Sequence, residues 1–188
     1  LILFFLGLFF SFSSTSSLAG ERLNKDYYFF FTKHLTYTFI ALIIMILISI
    51  IKTELIIKYS THLFIISFIL LALVPIIGAE VKGAKRWLDF YFFRLQPIEI
   101  LKPLFILITV KILTFEKFKN SQIKYILSFI LLSCVIILLI DQPDLGQSIL
   151  LIGSWVATVF ISGVSLTYIF IFFALFFISL SSILFFLP

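Results

Sequence analysis

Cysteine occurs once, at Cys134, so no disulfide can form within the chain, and its position inside an apolar run reads as a small buried side chain. Glycine and alanine are scarce, and only 12% of residues are charged. There is no Cys pair, no G-x-S-x-G and no Walker loop. His34 and His62 have no metal-ligand partner at suitable spacing, so no metal and no other cofactor is assigned to this chain. The net charge of +5 comes from bases spread over several loops, with no soluble basic face, which argues against nucleic acid as a partner.

Apolar residues make up 62% of the chain, 26 of its residues are Phe, and the mean hydropathy is +1.25. A soluble domain of 188 residues could not hide that much apolar surface, so the chain reads as a polytopic membrane protein. Leu1 opens directly in hydrocarbon-type sequence and Phe186-Leu187-Pro188 closes another apolar run, as in part of a longer protein, truncated at both ends.

A membrane helix needs about 20 mainly apolar residues. Seven runs qualify: Leu1–Leu18, Leu35–Ile51, Leu63–Ala79, Pro97–Phe115, Ile123–Ile140, Gly146–Gly163 and Leu166–Leu187. They are unbroken rather than alternating, which favours helices over a barrel. The expected fold is therefore all-α: one transmembrane helical bundle over residues 1–188. The first run ends in a Ser-rich stretch like a signal-peptide cleavage site, but it has no basic leader and six further spans follow, so it is expected to be retained. The segment Lys52–His62 reads as a connecting loop. Positive-inside counting does not set the orientation, because both sides carry similar numbers of bases.

Charge gathers in one place. Three of the nine acids and five of the fourteen bases lie between Glu80 and Lys102. Lys82, Lys85 and Arg86 sit just past a helix end, with Gly83 permitting a tight turn and Trp87 following. They form either an interfacial belt or an anion site, since Arg offers bidentate contacts to a phosphate. Gln96-Pro97-Ile98-Glu99-Ile100-Leu101-Lys102-Pro103 starts the fourth run, with Pro97 suited to a first helical position. Glu99 and Lys102 share a face at spacing i, i+3, as a structural ion pair or as the lining of a polar cavity. Pro103 frees the Glu99 carbonyl and should kink the helix. Asp141-Gln142-Pro143-Asp144-Leu145-Gly146-Gln147 is a sharp turn. Asp144 can N-cap the sixth run, with Gln147 completing a capping box, or it can face the same cavity as Arg86.

Three motifs in order, Gly83-Ala84-Lys85-Arg86-Trp87, Gln96-Pro97-Ile98-Glu99-Ile100-Leu101-Lys102 and Gln142-Pro143-Asp144-Leu145-Gly146, resemble the hallmarks of the SEDS family of bacterial membrane proteins, which includes FtsW, RodA and SpoVE. Gly78-Ala79-Glu80-Val81-Lys82-Gly83, Lys102-Pro103 and the turn through Gln147 look more like FtsW than RodA. The resemblance covers essentially the whole chain and about half of a ten-helix fold. It implies a peptidoglycan glycosyltransferase that polymerises lipid II, an undecaprenyl-diphosphate-linked disaccharide-peptide, during septal cell-wall synthesis. It implies a class B penicillin-binding protein, other divisome proteins and membrane lipids as partners. It also implies the bacterial inner membrane, with the motif-bearing loops outward.

Lys85, Arg86, Trp87, Gln96, Glu99, Lys102 and Asp144 are the substrate-cavity candidates so implied. The family's essential aspartate falls in a loop beyond the seventh helix, so no catalytic residue is expected in this chain, and a divalent cation in the longer enzyme is left open. Departures are Ile98 where the family carries Ser, which removes a hydroxyl from the expected cavity, Lys85 in place of an Arg, and Tyr91-Phe92-Phe93 in place of a stretch that commonly contains Gly. A lipid-precursor transporter is the alternative, since it too needs a cavity with paired charges, and a non-catalytic truncated division protein is another.

Overall fold

The computed structural model describes residues 2–15, 28–81, 83–90, 93–116, 120–164, 167 and 174. Six helices and three strands lie among them. They are α1 (Ile2–Thr15), α2 (Phe29–Ile50), α3 (Thr53–Ile77), β1 (Ala79–Val81), β2 (Ala84–Phe90), β3 (Phe93–Leu95), α4 (Pro97–Leu113), α5 (Ser121–Asp141) and α6 (Leu145–Ile161). The chain divides into two compact units, Leu1–Ile56 and Ile57–Pro188.

Six of the seven expected spans are helical, with shifted ends, and of the seventh only residues 167 and 174 are described. Helix α2 starts six residues before the expected Leu35, and α3 starts ten before Leu63. The segment from Thr53 to His62 is therefore helix and not loop. It is polar enough to end an apolar run, but it contains no Gly or Pro to end a helix. His62 consequently lies well inside α3 rather than at its end. By length and composition α2, α3 and α5, of 22, 25 and 21 residues, can each cross a membrane.

In the first unit α1 packs against α2, where Phe12 meets Phe31 edge to face at 5.2 Å. The second unit is held by narrow seams. Helix α3 buries Ser60, Phe64, Ser67, Leu71 and Val74; α5 buries Ser128, Leu132, Val135 and Leu139; α6 buries Ser148, Leu151, Trp155 and Val159. Spacings of three or four place each set on one face, so one stripe packs and the remainder stays apolar and outward, as lipid contact requires. Helix α4 packs on both α5 and α6 and buries eight residues, among them Ile98, Leu101, Phe105 and Ile108. The indole N–H of Trp155 donates to the Ser128 hydroxyl at 3.2 Å, tying α6 to α5 within the core. Cys134 lies off the α5 seam and is exposed, contrary to the expectation of burial.

The connection between α3 and α4 is an antiparallel three-stranded sheet in the order β1-β2-β3, which hydropathy alone did not reveal. Gly83 joins β1 to β2 at φ 79°, a conformation most residues avoid. Gly78 ends α3 where a Cβ would collide with the Val74 carbonyl.

Candidate functional site

The last turns of α3, the sheet, the first turns of α4, the end of α5 and the start of α6 all fall at one end of the second unit. The chain passes through this end twice: the connection from α3 to α4 carries the first two motifs, and the turn between α5 and α6 carries the third.

Arg86 extends from β2 to the turn between α5 and α6. Its Nε donates to the Gln142 carbonyl at 3.3 Å and its Nη2 to the Pro143 carbonyl, and Nε stands 3.8 Å from the Asp144 carboxylate. Asp144 is only 7% exposed. It caps α6 by accepting from the Gln147 backbone N–H at 3.4 Å, and its Oδ2 accepts from the Gln96 side-chain amide at 3.3 Å. The buried carboxylate is thus met by a cation, an amide and a helix N-terminus, so its oxygens are not left without partners.

The capping box forms by half. The Gln147 side chain does not return to the cap; it donates to Glu99 Oε1 at 2.8 Å and accepts from Lys102 Nζ at 2.7 Å. Lys102 Nζ also lies 2.8 Å from Glu99 Oε2. Glu99, Lys102 and Gln147 therefore close a three-membered ring between α4 and α6. The expected i, i+3 ion pair is present, with an interhelical partner that spacing within one helix could not reveal. Helix α4 continues through Pro103.

Other candidates diverge from this network. The register between β1 and β2 shifts at Arg86, since Ala79 pairs with Trp87 and Glu80 with Lys85, and such a bulge re-aims the side chains beside it. Lys85 Nζ is 3.4 Å from the Pro75 carbonyl, and Trp87 is half-buried. Lys85 and Arg86, adjacent in sequence, thus serve different elements. Ile98 is 1% exposed and belongs to the apolar core, so the position where the family carries Ser packs here and does not line a cavity. Phe93 stacks on Phe90 at 5.3 Å, while Lys82, Tyr91 and Phe92 lie outside the described residues.

Two site residues escaped the sequence reading. Gln142, 2% exposed, donates its side-chain amide to the Leu71 carbonyl at 3.1 Å. Gln147 was read only as a cap. Both are neutral amides, and what signals them is their place within the third motif and one turn into the helix that follows.

Arg86 already has partners in the turn, so its first task is to hold that turn. Its side chain is still 38% exposed, and the N-termini of α4 and α6 open at the same end. Positive helix ends and a partly open guanidinium suit an anionic group.

The chain is 33% identical over 156 residues to the probable peptidoglycan glycosyltransferase FtsW of Aliivibrio salmonicida, covering 82% of this chain and 39% of that protein. It is 35% identical to the corresponding protein of Wigglesworthia glossinidia brevipalpis, covering 82% and 41%. The chain thus spans about two fifths of the length of these relatives. Among solved structures, the rod shape determining protein RodA of Thermus thermophilus aligns with a TM-score of 0.68 at 25% identity, over 93% of this chain and 58% of that one. A chain of a peptidoglycan synthase complex shares the fold with a TM-score of 0.76 at 24% identity, over 96% and 51%. The profile of the FtsW/RodA/SpoVE family of cell cycle proteins matches residues 1–187, and the chain belongs to that family of membrane proteins.

Proposed function

We propose that the protein carrying this chain is an FtsW-type peptidoglycan glycosyltransferase that polymerises lipid II during division. It acts in the bacterial inner membrane with the motif-bearing end outward, beside a class B penicillin-binding protein and other divisome proteins. The observation that carries this reading is the meeting of all three motifs at one end of the second unit, through Arg86, Gln96, Asp144 and the Glu99–Lys102–Gln147 ring. The names of the FtsW relatives and the peptidoglycan synthase complex that shares the fold support it.

Each group has a task in this scheme. Arg86 supplies positive charge for the lipid diphosphate and also fixes the turn, while Lys85 holds the sheet against the end of α3. Gln96 holds Asp144, and Asp144 holds the start of α6. Glu99 and Lys102 form a neutral polar wall that admits the sugar hydroxyls without an unpaired charge at membrane depth. Trp87 anchors β2 at headgroup level. No residue of this chain is assigned the bond-making step, and no cofactor is proposed for it.

The test is polymerisation of labelled lipid II by the purified protein, read as glycan ladders on gels. Arg86→Ala is expected to slow polymerisation by about tenfold or more, as loss of a preorganised cation does, with the helical signal and elution volume unchanged. Normal rates in a folded Arg86→Ala protein would remove Arg86 from the scheme. Lipid II crossing liposome bilayers with no polymer formed would identify a transporter instead.

A further inference from the structure

At the end of the second unit opposite the motifs, Lys111 stands in the last turn of α4. Its Nζ donates to the Thr61 hydroxyl on α3 at 3.1 Å, and among the described residues it has no ion pair. The two side chains line a groove of about 510 Å³ whose walls include Ile108, Ile112 and Phe115. A cation set in an apolar groove is costly unless a counter-charge reaches it.

Thr61 differs from its neighbours. Ser60 beside it, like Thr114 in the same groove, turns its hydroxyl back onto a helix carbonyl. Thr61 accepts from Lys111 and donates to no group among the described residues. Its proton, together with the two remaining protons of Lys111, is available to an acceptor. Lys58 lies one turn before Thr61 on the same helix face, and Lys124 lies in the first turn of α5. Against these cations the described residues at this end offer two acids, Glu54 in the first turn of α3 and Glu116.

We propose that this groove binds an anionic glycerophospholipid. The phosphate is held by Lys111 and Thr61, and an acyl chain lies along Ile108, Ile112 and Phe115. Two observations favour a lipid over a soluble phosphate. The groove is walled largely by apolar side chains, which an inorganic anion leaves unfilled. It also lies at the end of a membrane-spanning bundle, where phosphates of the bilayer are always at hand. The site is separate from the motif-bearing end and does not depend on the proposed enzymatic activity.

Native mass spectrometry of the purified protein in detergent tests this, with phosphatidylglycerol and phosphatidylcholine of identical acyl chains added in turn. Phosphatidylglycerol is expected to stay bound where phosphatidylcholine is lost. Lys111→Gln should weaken phosphatidylglycerol about fivefold, as removal of one basic contact near a membrane surface does. Lys124→Gln, which lies outside the groove, should leave it unchanged. Equal retention of the two lipids, or an equal loss in both variants, would overturn the site in favour of a diffuse basic belt. Glycerol 3-phosphate binding as tightly as phosphatidylglycerol would overturn the lipid as occupant. If Lys111→Gln does not yield folded protein, Thr61→Val serves: weaker phosphatidylglycerol retention supports the site, and unchanged retention overturns it.

Discussion

The side-chain amide of Gln142 donates to the backbone carbonyl of Leu71 at 3.1 Å, and both residues are buried. Pro75 explains why that carbonyl is free. It lies four residues further along α3 and has no N–H to donate back. One proline thus opens an acceptor in the core of the unit, and an amide from the third motif fills it. Arg86 holds the Gln142 carbonyl at the same time, so both ends of this residue are committed.

Gln142→Leu should therefore lower stability by about 1–3 kcal/mol, the range for a buried acceptor left without its donor. In a Pro75→Ala background the helix regains its own donor, and the same substitution should matter much less. Thermal unfolding of the four proteins in one detergent measures the coupling. Equal losses in both backgrounds would show that Gln142 acts through packing and not through the Leu71 carbonyl.

Lys102 is 22% exposed and Glu99 51%, so loss of the partner falls harder on the lysine. Glu99→Gln leaves a partly buried cation facing two amides, whereas Lys102→Gln leaves an acid that water can reach. We expect Glu99→Gln to be the more destabilising, and the double substitution to be milder than the two single losses added together. Strict additivity in melting temperature would mean the ring contributes no coupling.

Gly83 has φ 79° with open space around its Cα, so any penalty there comes from the backbone and not from a clash. Gly83→Val should cost more than Gly83→Asn, because Asn tolerates the left-handed region and a β-branched side chain does not. Gly78→Ala is a different case, since its Cβ would meet the Val74 carbonyl. Expression level and melting temperature of the three variants should separate the two causes. Equal behaviour of the Val and Asn variants would argue against a backbone origin at Gly83.

Thr109 is fully buried on α4, and its hydroxyl has no hydrogen-bond partner among the described residues. Thr109→Val keeps the shape and removes the orphan group. It should raise the melting temperature, because a buried unsatisfied hydroxyl carries a penalty of about 1–3 kcal/mol. A lowered melting temperature would mean that the hydroxyl is satisfied in the membrane.

Apolar run length by itself located six helices, because a chain in hydrocarbon must satisfy its backbone within each segment. Their ends were less legible. Hydropathy falls at Lys52 and Thr53, but the backbone needs only helix-compatible residues to continue, and α3 does so from Thr53 onward. The small sheet between α3 and α4 was not visible either, since its strands are three to seven residues long and too mixed in polarity for a clear alternation. The Glu99–Lys102 pair was legible because spacing on one helix fixes a shared face.

What the sequence determined alone was the class of solvent, the helical spans, the motif order and the family those motifs mark. Tertiary structure decided which residues meet. Lys85 and Arg86 are neighbours in the chain, yet at the register shift between β1 and β2 one reaches α3 and the other crosses to the α5–α6 turn. Gln147 is read as a cap in sequence but spans to α4, and Gln142 finds a carbonyl that a proline 67 positions earlier left open. These are contacts between elements far apart in the chain, set by how helices pack and where strands turn, and one-dimensional spacing carries no measure of them.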